Sequence, residues 1–112
     1  TLQELQSYIG TDNYQLLWNR ICKIISKCKH AFYNKINFSV NKNNNCFQLL
    51  GLDFIFTSDL NPFLLECNKG PQMLYINQKE KKMKEKIILD ILTTCKIVSP
   101  KYNKYNNFTL IK

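Results

Sequence analysis

Two apolar runs, CFQLLGLDFIF (46–56) and FLLECN (63–68), flank the stretch TSDLNP (57–62). No other feature restricts the fold so tightly. Strand-forming runs joined by Ser, Asp, Asn and Pro predict an antiparallel hairpin. With the turn centred between Asp59 and Leu60, facing residues carry numbers that sum to 119. Asp53 then faces Glu66, Gly51 faces Asn68, and Ile55 faces Leu64. Side chains alternate along a strand, so one face holds Leu50, Leu52, Phe54, Phe56, Phe63, Leu65 and Cys67 and is expected to be buried. The other face gathers Asp53, Glu66 and Asn68.

Two carboxylates opposed on a sheet repel, and the chain has only eight acidic residues to place. A proton or a cation between them relieves the repulsion. Two carboxylates and an amide oxygen form a hard, oxygen-only set, which suits Mg²⁺ with a phosphate-bearing ligand. The alternative is that each carboxylate pairs with a lysine on a solvated face. A slip of one residue in register breaks the pairing altogether.

The flanking segments predict helices. Leu2, Leu5, Tyr8 and Ile9 recur at helical spacing, Thr1-x-x-Glu4 resembles a capping box, and Gly10 is the natural stop. A second start at Thr11-Asp12-Asn13 leads a stripe of Tyr14, Leu17, Ile21, Ile24, Ile25 and Cys28, with Trp18 beside it. That stripe predicts a helix of about 16 residues, ending near His30. Residues 31–45 end in an Asn-rich run and are expected to form an exposed loop. After the turn signal Lys69-Gly70-Pro71, residues 78–96 place Met83, Ile87, Ile88, Ile91, Leu92 and Cys95 on one face of a third helix. The Tyr/Asn/Lys-rich tail, 97–112, is weakly patterned and reads as a mobile end or a short added element.

Composition excludes several classes. The chain has 112 residues with 45% hydrophobic content, enough for one domain burying roughly two-thirds of its extended surface, and too apolar for global disorder. Its longest uncharged stretches fall short of the ~20 residues that span a bilayer, and no signal peptide is visible. Because it begins at Thr1, it reads as a piece of something longer. Fifteen of its 16 cationic residues are Lys, Asn occurs 14 times, and the net charge is +8. Asn, Lys and Ile share A/T-rich codons, which accounts for part of this bias; the rest predicts a surface that attracts an acidic partner. Neither arginine-rich segments nor exposed stacking aromatics are evident, which weighs against nucleic acid. Five scattered cysteines without a C-x-x-C pair, and a single histidine, His30, predict free thiols in a reducing compartment and no zinc site.

The segment CFQLLGLDFIFTSDLNPFLLECNKGP (46–71) resembles the C-terminal signature of the tubulin–tyrosine ligase-like family. It keeps that pattern at Phe47, Leu49, Gly51, Asp53, Phe54, Asp59, Pro62, Leu64, Glu66, Asn68 and Pro71. The resemblance extends outward through the Trp18 helix and through Met83 to Leu92, covering roughly residues 1–96. Cys67 stands where the family has Val or Ile, Lys69-Gly70-Pro71-Gln72 departs from its usual small-residue and Ser-Pro stretch, and the Asn-rich insert is long.

This resemblance implies an α+β chain forming the C-terminal portion of an ATP-grasp fold, with the hairpin (46–68) packed against helices. It implies ATP and Mg²⁺ as cofactors, Mg²⁺ being held by Asp53, Glu66 and Asn68, the residues that the hairpin register brings together. Lys69 is a further candidate for contact with phosphate. The implied activity is an ATP-dependent peptide- or isopeptide-forming ligase. It joins a free amino acid to acidic tubulin tails through an acyl phosphate, with glutamate favoured over glycine or tyrosine. A non-catalytic microtubule binder of the same family is the alternative. The implied location is cytoplasmic and cytoskeletal, including cilium, flagellum or basal body, with no membrane or nucleic-acid partner. The family's first subdomain, phosphate-covering loop and adenine-contacting lysines have no counterpart here, so these 112 residues alone are expected to be inactive.

Overall fold

A computed structural model describes residues 1–33 and 47–111. The architecture is α+β. Helices α1 (Leu2–Ile9) and α2 (Thr11–Tyr33) precede strands β1 (Leu50–Phe56) and β2 (Pro62–Lys69), followed by helix α3 (Gln78–Thr94) and a 3₁₀ turn at Pro100–Tyr102. The strands form a two-stranded antiparallel sheet. The described residues fall into two compact units, 1–33 with 51–68 and 111, and 47–50 with 69–110. No helix among them is long and apolar enough to cross a membrane.

In the first unit, local signals set the helix ends. Thr1 accepts from the Glu4 N–H at 3.2 Å and the Glu4 side chain reciprocates, closing the capping box. Gly10 ends α1 at φ 84°, where a side chain would be strained, and α2 begins at the next residue. Helix α2 runs to Tyr33, 23 residues, and so overruns the predicted end near His30. No Gly or Pro interrupts 11–33, and Ala31 favours continued helix. Residues 31–33 therefore belong to α2, while the Asn-rich remainder of the predicted loop lies outside the described residues. Leu17 is 2% exposed and is the buried hydrophobic of this unit. Tyr14 and Trp18 stack beside it with ring centroids 6.4 Å apart.

The hairpin turn is tighter than expected. The Leu60 N–H donates to the Thr57 carbonyl at 2.9 Å, and Thr57 N–H donates to Asn61 at 3.2 Å. The turn is thus centred on Asp59, with Leu60 held at φ 60°. A left-handed Leu costs about 1–2 kcal/mol, and Arg20 offsets part of it. Its Nη1 donates to the carbonyls of Asp59 and Leu60, at 2.7 and 2.8 Å, tying the turn to α2. Arg20→Ala is expected to destabilise the fold by about 1–2 kcal/mol, seen as a lower urea midpoint; Leu60→Gly in that background should recover part of the loss.

Only part of the predicted buried face is buried. Leu50, Leu52, Phe54 and Cys67 are half-buried, but Phe63 and Leu65 are 55% and 65% exposed, Phe56 lies at the surface, and Leu64 turns inward instead. The register explains this correction. At the turn, Thr57 and Asn61 sum to 118, whereas at the open end Gly70 N–H donates to Leu49, summing to 119. β2 therefore carries one extra residue. The alternation Leu64-in, Leu65-out, Glu66-out, Cys67-in places that bulge at Leu65–Glu66.

In the second unit, α3 starts where Asn77 accepts from the Glu80 N–H at 2.9 Å and Glu80 accepts from Ile76 N–H at 3.1 Å. Ile91 is its buried hydrophobic. The tail is better fixed than its composition predicts. Asp90, 1% exposed, accepts from Lys86, from Asn103 at 2.7 Å, and from the backbone and side-chain N–H groups of Asn107 at 3.4 and 3.3 Å. Asn103 also donates to Thr93 at 2.9 Å, and Lys86 bonds Asn103 and the Tyr105 carbonyl. Burial pushes the Asp90 carboxyl up, but its bonds to Lys86, Asn103 and Asn107 outweigh this and hold it below the ordinary carboxylate value.

Candidate metal site

Strand β1 contributes Asp53 and strand β2 contributes Glu66 and Asn68, all three exposed. The bulge sets Asp53 opposite the Leu65–Glu66 pair, and both outward turns at 65–66 put Glu66 on Asp53's face. A simple hairpin summing to 118 throughout would instead have opposed Asp53 to Leu65 and turned Glu66 inward. The extra residue is what returns the acidic pair to one side.

Glu66 and Asn68 are directly joined. The Asn68 amide N–H donates to Glu66 Oε1 at 2.5 Å. That bond aims the amide nitrogen at the carboxylate and leaves Asn68 Oδ1 and Glu66 Oε2 without a partner among the described residues. Asp53 also takes no hydrogen bond or ion pair there; the ion pairs of Glu80, Glu85 and Asp90 all lie on α3. No lysine among the described residues pairs with either carboxylate. Lys69 ends β2 exposed to solvent, without a described partner.

The donor set fits a hard cation. It is all oxygen, neither carboxylate meets a cationic side chain among the described residues, and a Mg²⁺ ion that keeps several waters needs only one or two carboxylates. Among the described residues, no three His, Cys, Asp or Glu side chains gather as metal ligands. Cys22, Cys28, Cys67 and Cys95 are half-buried and form no disulfide among the described residues. Cys46 lies outside them. Sequence reasoning missed Arg20, which fixes the hairpin turn; the one signal available was its rarity, a single Arg beside 15 Lys.

Residues 1–105 match the model of the tubulin-tyrosine ligase family. The chain belongs to that family. It is 32% identical over 73 residues to a probable tubulin polyglutamylase of Caenorhabditis elegans, covering 62% of this chain and 18% of the relative. A tubulin glycylase of Tetrahymena thermophila is 30% identical over 73 residues, covering 65% of this chain and 8% of the relative. A mouse tubulin polyglutamylase is 29% identical over 101 residues, covering 81% and 12% respectively. The chain thus spans less than a fifth of the length of these relatives. No solved structure matches it.

Proposed function

We propose that this chain supplies the Mg²⁺-binding hairpin of an ATP-dependent ligase that adds amino acids to tubulin tails. We further propose that its fold is the C-terminal portion of an ATP-grasp domain. The observation that carries the reading is the outward face of the hairpin, where Asp53, Glu66 and Asn68 each present an oxygen without a partner among the described residues, in a chain whose relatives are tubulin-modifying enzymes. Polyglutamylation is the favoured reaction, because polyglutamylases outnumber glycylases among the relatives matched. Glycylases also occur among the relatives, which makes glycine the second donor to test.

In this reading Asp53 and Glu66 would hold Mg²⁺, and Asn68, whose N–H bonds the Glu66 carboxylate, would offer its own oxygen. When bound, the ion would neutralise charge on the ATP phosphates. The protein's part would be to hold both carboxylates in place; the bulge and the Arg20-braced turn serve that end. Lys69, next along the strand, is the residue proposed to meet a phosphate or an acidic substrate. A net charge of +8 would raise the encounter rate with an acidic tail in a salt-dependent way. Microtubules in the cytoplasm or in cilia, flagella and basal bodies are the proposed location.

The test uses the longest natural form of the protein with microtubules, Mg-ATP and labelled glutamate, glycine or tyrosine in separate reactions. Incorporation of glutamate alone supports the polyglutamylase reading, and glycine alone moves it to a glycylase. Microtubule binding without incorporation of any donor would replace it with a non-catalytic binder.

A further inference from the structure

The tail beyond α3 holds a short repeat that the candidate site does not use. Residues 101–106 read Lys-Tyr-Asn twice over. In both copies the asparagine amide turns toward α3. Asn103 donates to the Asp90 carboxylate at 2.7 Å and to Thr93 at 2.9 Å. Asn106 donates to the Asp90 carbonyl at 3.2 Å and to Thr94 at 3.0 Å. The Tyr105 carbonyl also accepts from Lys86. The segment is therefore inside out: its amides engage the helix, while Tyr102 and Tyr105 are 66% and 80% exposed and both repeat lysines lie at the surface. With the backbone anchored at both asparagines, the rings are held outward, and a partner meets them at little further ordering cost.

Charge narrows the choice of partner. From Ile91 to Leu110 the chain carries three lysines and no acidic residue, and the buried Asp90 carboxylate is already bonded to Lys86. Lys101 lies 4.9 Å from the centre of the Tyr102 ring, on one side of it; the rest of that ring stays open. The side chains of Lys104 and Tyr105 have no partner among the described residues. Each repeat thus offers one aromatic face and one ammonium. A single strand of nucleic acid offers one base and one phosphate per nucleotide, and stacking on rings beside cations holds such strands with little sequence preference. An acidic peptide would supply the charges but nothing flat to stack, and a duplex keeps its bases inside. The sequence alone shows no exposed stacking aromatics, because composition does not reveal that the asparagines take the inward positions. The structure supplies two.

We propose that residues 101–106 bind single-stranded nucleic acid, Tyr102 and Tyr105 each stacking a base and Lys101 and Lys104 each meeting a phosphate. This surface is independent of the ligase reading, and neither stands or falls with the other.

The test is fluorescence anisotropy of a short labelled single strand, as RNA and as DNA, titrated with the longest natural form of the protein. Tyr102→Ala and Tyr105→Ala should each weaken binding by about tenfold, and together by about a hundredfold, because they hold separate bases. Both rings are exposed, so the urea midpoint should not move. Lys101→Ala with Lys104→Ala should lower the slope of log affinity against log salt concentration by about 1.4. The duplex, and an abasic strand of equal length, should bind no better than the double-tyrosine variant binds the intact strand. Tighter binding of either RNA or DNA supports the proposal and names the ligand. Full affinity in the double-tyrosine variant would overturn it, as would equal binding of the abasic strand or of a polyglutamate peptide, since the lysines would then attract any polyanion. Tyrosine-dependent binding to phosphatidylserine vesicles, with none to either single strand, would overturn it in favour of a membrane surface.

Discussion

Glu66→Gln is expected to abolish Mg²⁺-dependent ATP binding and to lower amino acid transfer by about 10²–10³-fold or more, with the fold intact. Glutamine keeps the length of the side chain and an oxygen for the Asn68 N–H, so the hairpin has no reason to rearrange. It loses the negative charge and one of the two oxygens. Because Glu66 is exposed, the change buries nothing and creates no cavity. Titration calorimetry with ATP in the presence and absence of Mg²⁺ checks the first part. Asp53→Asn should act in the same direction, whereas Asn68→Ala should weaken Mg²⁺ by about 10–100-fold, as for a group that orients a ligand. Equal ATP affinity with and without Mg²⁺ in the unsubstituted protein would remove the metal site from the argument.

These substitutions also probe the bulge. In the sequence, FLLEC is apolar at four of five positions, so either phase of the strand finds hydrophobic side chains for the inner face. Nothing local distinguishes Phe63 and Leu65 from Leu64. The predicted pairing of Asp53 with Glu66 nevertheless survives as a shared face, because the turn recentres on Asp59 and the bulge then restores the sum of 119. Two departures from the expected register cancel at the candidate site. What was legible was chemistry with a local cause: Thr1 and Glu4 closing a capping box, and Gly10 stopping α1. What was not legible depends on contacts distant in sequence. Arg20 reaches its carbonyl partners 39 and 40 residues away. The tail's asparagines look like solvated loop residues until Asp90 collects them.

The predicted core was overestimated for a related reason. Among the described residues only Leu17 and Ile91 are fully buried hydrophobics, whereas Leu2, Tyr8, Leu74, Ile76 and Met83 are exposed. The apolar stripes on α1, α2 and α3 predict buried faces. In the structure each stripe is only partly covered within its own unit. Apolar periodicity reports that a face prefers burial, not which surface will cover it.

Asp90 should matter more to stability than any residue of the candidate site. Its carboxylate is the hub for Lys86, Asn103 and Asn107, so Asp90→Ala strands one ammonium and several amides at once. A broken buried ion pair costs about 3–5 kcal/mol. The lower end applies because the Lys86 side chain is 34% exposed while that of Asp90 is 2%. Against a typical total of about 5–15 kcal/mol, that loss should free residues 97–107 from α3, visible as accelerated amide exchange there before α3 itself is affected. The pH dependence has a definite sign. Asp90 titrates lower in the folded chain than the ordinary 3.8, so the folded state favours its ionised form. Its contribution is complete above the unfolded value and disappears as pH falls through the folded one. Urea unfolding followed from about pH 7 down to about pH 2 should therefore show an acid loss of stability that Asp90→Asn reduces. Asparagine cannot be protonated, and it retains an oxygen for the Asn103 N–H, so Asp90→Asn should be less damaging than Asp90→Ala at neutral pH. An identical acid limb in the unsubstituted and Asp90→Asn proteins would show that the tail is held by its backbone contacts and not by this carboxylate.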